Sequence, residues 1–236
     1  LLYGYGSYGI SSDPGFGPSI ISLLGRGVVY AIAHIRGGGD MGRAWYDEGK
    51  MLNKKNTFTD FIACADFLRD SGWVDKDRLA GEGGSAGGLL VGAVANMGGD
   101  RFRAILAVVP FVDALTTILD PSLPLTVGEW EEWGDPYHDA QVYEYMKGYS
   151  PYENVEEKEY PAILATTSLN DTRVFYVEPA KWIAKLQETA TNGEERPILL
   201  KTEMVAGHGG RSGRYNLWED QALRRAFVLD QLGVRQ

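Results

Sequence analysis

Apolar residues recur along this chain with two periods. Phe58, Phe61, Ile62, Ala65 and Leu68 fall three and four positions apart, the spacing of one helix face. They predict a helix over 57–71 that Gly72 stops. Residues 177–189 and 215–232 read the same way, and 18–25 reads as a short helix with Pro18 in its first turn. Short continuous apolar runs at 1–3, 28–35, 102–110, 161–167 and 198–203 predict buried strands. The β-branched run at 28–35 reads as a central strand. Residues 111–149 read as a long, irregular and acidic stretch with one helix near 139–147. Strands and helices alternate throughout, which predicts an α/β fold: a mostly parallel sheet with helices on both faces. Sites in such folds form at the carboxyl ends of the strands.

One stretch stands out against this pattern. Gly81-Glu82-Gly83-Gly84-Ser85-Ala86-Gly87-Gly88 lies between a strand-like run and a helix of small residues over 89–96. Gly83-x-Ser85-x-Gly87 fits the nucleophile elbow, in which a serine sits on a tight strand-to-helix turn and larger neighbours would collide with the flanking strand and helix. The alternative is an ordinary glycine-rich turn.

A serine hydroxyl needs a base, and the base needs an orienting group. The chain has three histidines. His34 lies in an apolar strand and reads as structural, and His138 lies in a polar segment and reads as exposed. His208 lies in Ala206-Gly207-His208-Gly209-Gly210, directly after a strand, and is the candidate base. The acid in this fold falls between serine and histidine in chain order. Asp171, after the strand at 161–167, is favoured, and Asp113, after the strand at 102–110, is the alternative. The oxyanion needs preorganised donors. The Ala86 N–H supplies one by geometry. A second comes from the loop at 4–9, through a backbone N–H or the Tyr5 hydroxyl.

Composition narrows the classes. The chain has 236 residues, which suits one large α/β domain. Its net charge of −9 argues against nucleic acid and suits a cationic ligand. No apolar run reaches the roughly eighteen residues of a membrane span. Cys64, the one cysteine, falls on an apolar helix face and reads as a core residue; its isolation favours a reducing, cytoplasmic compartment. Gly37, Gly39 and Gly42, in a loop that reads as flexible, fit a dinucleotide fingerprint only loosely. No metal or cofactor is expected, because the histidines and acids lack ligand spacing.

Taken together, Leu2-Tyr3-Gly4-Tyr5-Gly6, Ile35-Arg36-Gly37-Gly38-Gly39, Gly83 to Gly88, Asn170-Asp171-Thr172-Arg173-Val174 and Ala206-Gly207-His208-Gly209 resemble the prolyl oligopeptidase family of serine peptidases. The resemblance runs from the first residues to the last helix. It implies an α/β-hydrolase domain that cleaves short peptides. It also implies a triad of Ser85, Asp171 and His208, an oxyanion hole of Tyr5 and Ala86, and Arg173 as a ligand for a substrate carbonyl. It further implies an N-terminal β-propeller and first sheet strands beyond this chain. The chain opens without Met, inside an apparent strand, and so reads as a segment of a longer protein.

Charge carries the specificity reading. In Gly128-Glu129-Trp130-Glu131-Glu132-Trp133-Gly134, Glu129 and Glu131 would project to one side of an extended segment and hold an Arg or Lys side chain. The alternative is a solvated acidic loop. The stretch resembles the branch of the family that cleaves after Arg or Lys, which points to short basic peptides as substrates. Asp13 lies in the segment that resembles that branch's secondary acidic subsite, although Gly15 stands where a companion acid would. A prolyl-type oligopeptidase, an esterase on the same fold and a non-catalytic binding domain are the competing readings.

Overall fold

Along the strands that read as buried runs, successive side chains go to opposite faces, and both faces are covered. The computed structural model describes residues 1–234. Its elements are β1 (Leu2–Tyr3), α1 (Pro18–Leu24), β2 (Ala31–Ile32), α2 (Arg43–Asp47), α3 (Lys55–Asp70), β3 (Ala80–Gly84), α4 (Ala86–Gly98) and β4 (Ala104–Val108). They continue with α5 (Ala114–Ile118), α6 (Thr126–Trp133), α7 (Ala140–Lys147), β5 (Ala162–Ser168), α8 (Val177–Thr189), β6 (Ile198–Glu203) and α9 (Arg214–Gln231). The six strands form one sheet in the order β2-β1-β3-β4-β5-β6, and every pairing is parallel.

In β4 and β5, Ile105, Ala107, Ile163 and Ala165 join a core with Phe58 and Phe61 of α3, Leu89 and Leu90 of α4, and Trp182 and Leu186 of α8. Leu106 and Leu164 face the other way and meet Leu23 of α1 and Val228 of α9. Each fully buried side chain of this size contributes about 1.5–3 kcal/mol. The parallel crossovers leave the ends of β1, β3, β5 and β6 and their following loops on one rim of the sheet, where the candidate residues lie.

Four readings change. The run at 28–35 yields only the two-residue β2, which pairs with β1 among the described residues. Val28, Ala33 and Ile35 are buried all the same, in the two core clusters. An apolar run reports burial, and its place in a sheet is a tertiary matter. His34 is outside the strand and exposed, with its Nε2 3.1 Å from the Ser12 carbonyl oxygen. The 111–149 stretch holds α5 and α6 as well as the expected α7. Leu115, Ile118 and Trp133 anchor them in the core. The glycines after Ile35 are closely packed: a Cβ on Gly37 would lie 2.2 Å from the Gly6 carbonyl oxygen. Cys64 is half-buried against the core. Among the described residues, no helix is long and apolar enough to cross a membrane.

Candidate active site

The chain passes from β3 into α4 through Ser85, which adopts φ 56° and ψ −116°. A side chain other than glycine's is strained there, and surrounding contacts must hold it. The Ser85 N–H donates to the Val108 carbonyl oxygen at 2.9 Å, and its own carbonyl accepts from Phe111 N–H at 3.1 Å. The flanking glycines make this turn possible, since a Cβ on Gly83 would lie 2.0 Å from the Gly87 carbonyl oxygen. The result is a hydroxyl presented at the carboxyl rim of the sheet.

His208, in the turn after β6, and Asp171, in the turn after β5, meet because those strands are neighbours. His208 Nε2 lies 3.2 Å from Ser85 Oγ, and Nδ1 lies 2.7 Å from Asp171 Oδ2. A carboxylate there accepts from Nδ1–H, which leaves Nε2 of the neutral ring free to take the serine proton. Asp171 is 3% exposed, and its Oδ1 accepts from the N–H groups of Arg173 and Val174 at 2.9 and 3.0 Å. Asp113 is engaged elsewhere: it pairs with Lys181 and accepts from Thr116 Oγ1. The geometry therefore joins Asp171, and not Asp113, to the histidine.

Ser85 opens onto a recess of about 390 Å³ that is also lined by Tyr5, Tyr8, Ala86, Phe111, Glu129 and Arg173. Ala86 is the first residue of α4, so its N–H has no acceptor within the helix. Burial, reinforced by nearby acids, pushes the Tyr5 phenol up to about 12, so it stays protonated and able to donate at neutral pH. The Arg173 side chain is exposed at the rim. Asp13 is exposed in an adjoining groove that shares Tyr5 and Ile10 with the recess.

The paired-acid reading is corrected. Residues 126–133 form a helix, so positions two apart point about 200° from each other. Glu129 lines the recess, whereas Glu131 is exposed and does not. Glu129 Oε2 accepts from Tyr8 O–H at 2.6 Å and from Trp133 Nε1–H at 2.8 Å. The buried companion acid is Glu132, which accepts from Tyr8 N–H at 3.0 Å and Tyr46 O–H at 2.8 Å. Sequence reasoning missed Tyr8, Glu132 and Lys54. The i, i+3 spacing of Glu129 and Glu132 on a recognised helix would have pointed to Glu132. Nothing local marks Lys54. Among the described residues, no cluster of His, Cys, Asp and Glu side chains could hold a metal.

A parallel sheet with a serine on the strand-to-helix turn, and Asp and His after its last two strands, is an α/β-hydrolase fold. The model of the prolyl oligopeptidase family matches residues 14–235, and the chain belongs to that family. It is 55% identical over 234 residues to Protease 2 of Moraxella lacunata, which covers 99% of this chain and 34% of that protein. It is 54% identical over 234 residues to Dipeptidyl aminopeptidase BI of Pseudoxanthomonas mexicana, covering 99% of this chain and 32% of that one. A solved structure of oligopeptidase B from Trypanosoma brucei, with covalently bound antipain, superposes with a TM-score of 0.96 at 52% identity. That superposition covers 100% of this chain and 33% of the other. The chain thus spans about a third of the length of the relatives it matches.

Proposed function

We propose that this chain is the catalytic domain of a serine oligopeptidase that cleaves short peptides on the carboxyl side of Arg or Lys. The observation that carries this reading is a carboxylate, Glu129, in the same recess as a serine already hydrogen-bonded to His208.

His208 Nε2 takes the Ser85 proton as Oγ attacks the scissile carbonyl. The tetrahedral oxyanion receives hydrogen bonds from the Tyr5 hydroxyl and the Ala86 N–H. The C–N bond then breaks, His208 returns the proton to the leaving amine, and an acyl-enzyme remains. Water repeats the cycle with His208 as base and frees Ser85. Asp171 keeps the proton on Nδ1 and stabilises the imidazolium. Arg173 holds a substrate carbonyl, Glu129 receives the basic side chain, and Asp13 lies where a second basic residue would extend. In this reading the protein also carries a β-propeller that restricts entry to short peptides, and it acts in the cytoplasm, as the single cysteine suits.

An esterase would share the serine chemistry, but the acid in the recess favours a basic peptide over a neutral acyl chain. The test is the Ser85→Ala variant with an Arg amide, a neutral ester and a fluorophosphonate label. Wild type is expected to take the label and prefer the Arg amide. The variant should lose label and turnover together, with a fall in kcat on the order of 10⁶-fold. A folded wild type that takes no label would overturn the mechanism, and a preference for the ester would overturn the specificity.

A further inference from the structure

The Lys54 side chain is 1% exposed and plays no part in the steps above. Its ammonium donates to the Gly6 carbonyl oxygen at 2.7 Å and to Ser7 Oγ at 2.8 Å. It also lies 3.9 Å from Glu132 Oε1 and 4.9 Å from the centre of the Trp133 ring. Gly6 and Ser7 sit between Tyr5 and Tyr8 in the loop after β1, while Glu132 and Trp133 end the helix that carries Glu129. One buried cation therefore joins the loop of the proposed oxyanion donor to the helix of the proposed specificity acid.

The connection continues through Tyr8. Its N–H donates to Glu132 Oε1, its hydroxyl donates to Glu129 Oε2, and its φ is 59°. That backbone conformation is unfavourable for a residue other than glycine and needs outside contacts to hold it. Burying an ammonium and a carboxylate is itself costly, and an apolar pair of similar volume is often as stable or more so. What the ion pair contributes here is position, since an apolar pair would not direct the Tyr8 N–H.

We propose that Lys54 and Glu132 are positioning residues: their buried pair sets the 4–9 loop against α6, and so places Tyr5 and Glu129 at a fixed separation around the scissile bond. The proposal rests on the peptidase reading and deepens it. Lys54 and Glu132 do not touch substrate; they act through Tyr5, Tyr8 and Glu129.

The test uses the full-length protein. Wild type is first labelled with a fluorophosphonate, and absence of label at Ser85 would defeat the underlying peptidase reading separately. Lys54→Met, Lys54→Arg, Glu132→Gln and the double variant Lys54→Met/Glu132→Leu are then compared. Readouts are kcat and KM on an Arg amide and on a neutral ester, together with Tm. Lys54→Met should lower kcat on both substrates and raise KM on the Arg amide alone. Its preference for the Arg amide should fall by about 10- to 100-fold, the size expected when a hydrogen-bonded charge is displaced. Lys54→Arg should recover part of that preference. The double variant should recover the wild-type Tm without recovering the preference, a separation that a merely structural role would not produce. If it regains both, or if Lys54→Met lowers Tm while kinetics below the transition are unchanged, the proposal is wrong. Should Lys54→Met fail to fold, Glu132→Gln decides: reduced preference supports the proposal, and unchanged preference overturns it.

Discussion

Glu129 and Glu131 are chemically identical, two positions apart, and differently placed. On α6 one lines the recess beside Ser85 and the other faces solvent. Their substitutions are therefore expected to differ. In the proposed peptidase reading, Glu129→Gln should lower kcat/KM for an Arg substrate by about two orders of magnitude, because it would remove one partner of a desolvated charge pair. Glu131→Gln should leave it within about twofold, as exposed charges contribute little. Equal effects of the two substitutions would refute the helical placement. Ser85, His208 and Asp171, which the structure brings within hydrogen-bond distance of one another, were legible as residues because each lies in a local turn with recognisable neighbours. The choice between Asp171 and Asp113 was not settled by local pattern, since both follow strands. It depends on which strands are neighbours and on Lys181, which engages Asp113.

At the scale of elements, the wall of the recess depends on a buried carboxyl. Glu178 of α8 is 2% exposed and reaches α5, whose Thr117 and Ile118 line the recess. It accepts from Thr117 Oγ1–H at 2.7 Å and from the Asp113 N–H at 3.0 Å. Burial raises its carboxyl from 4.5 to about 7, against the lowering effect of these donors. Between those two values the folded state holds a proton that the unfolded state has lost. Stability from this group is thus present below about 4.5 and falls as pH rises towards 7. Glu178→Gln keeps an oxygen acceptor and removes the charge. The variant should lose less stability than wild type between pH 5 and pH 8, by about 1–3 kcal/mol in denaturant titrations. An identical loss would show that Glu178 does not titrate in that window. The elements themselves were largely readable: α3, α8, α9 and β4 to β6 fall within a few residues of their predicted spans, because each is long or continuously apolar. The misread ones, α5, α6 and β2, are short, and their placement comes from distant partners.

At the scale of the whole chain, the proposed peptidase reading makes net charge and site act in the same direction. In that reading a chain of net charge −9 with Glu129 in the recess is expected to attract basic peptides over a distance comparable to the Debye length. The second-order rate for an Arg peptide should fall as salt rises from 50 to 500 mM, while that for a neutral ester stays nearly flat. Parallel salt curves for the two would remove electrostatic steering from the account. By itself the sequence determined the α/β alternation, the tight turn at Ser85, the order of Ser85, Asp171 and His208 along the chain, and an acidic segment at 129–132. These are local properties of spacing and residue type. The tertiary structure alone decided that the run at 28–35 pairs over only two residues, that Glu131 faces away, and that Lys54, Tyr8 and Glu132 meet. Tyr8 and Glu132 are 124 positions apart, and Lys54 and Gly6 are 48 apart. A hydrophobic period says which face of an element is buried, but it carries no record of which distant polar group will be buried against it.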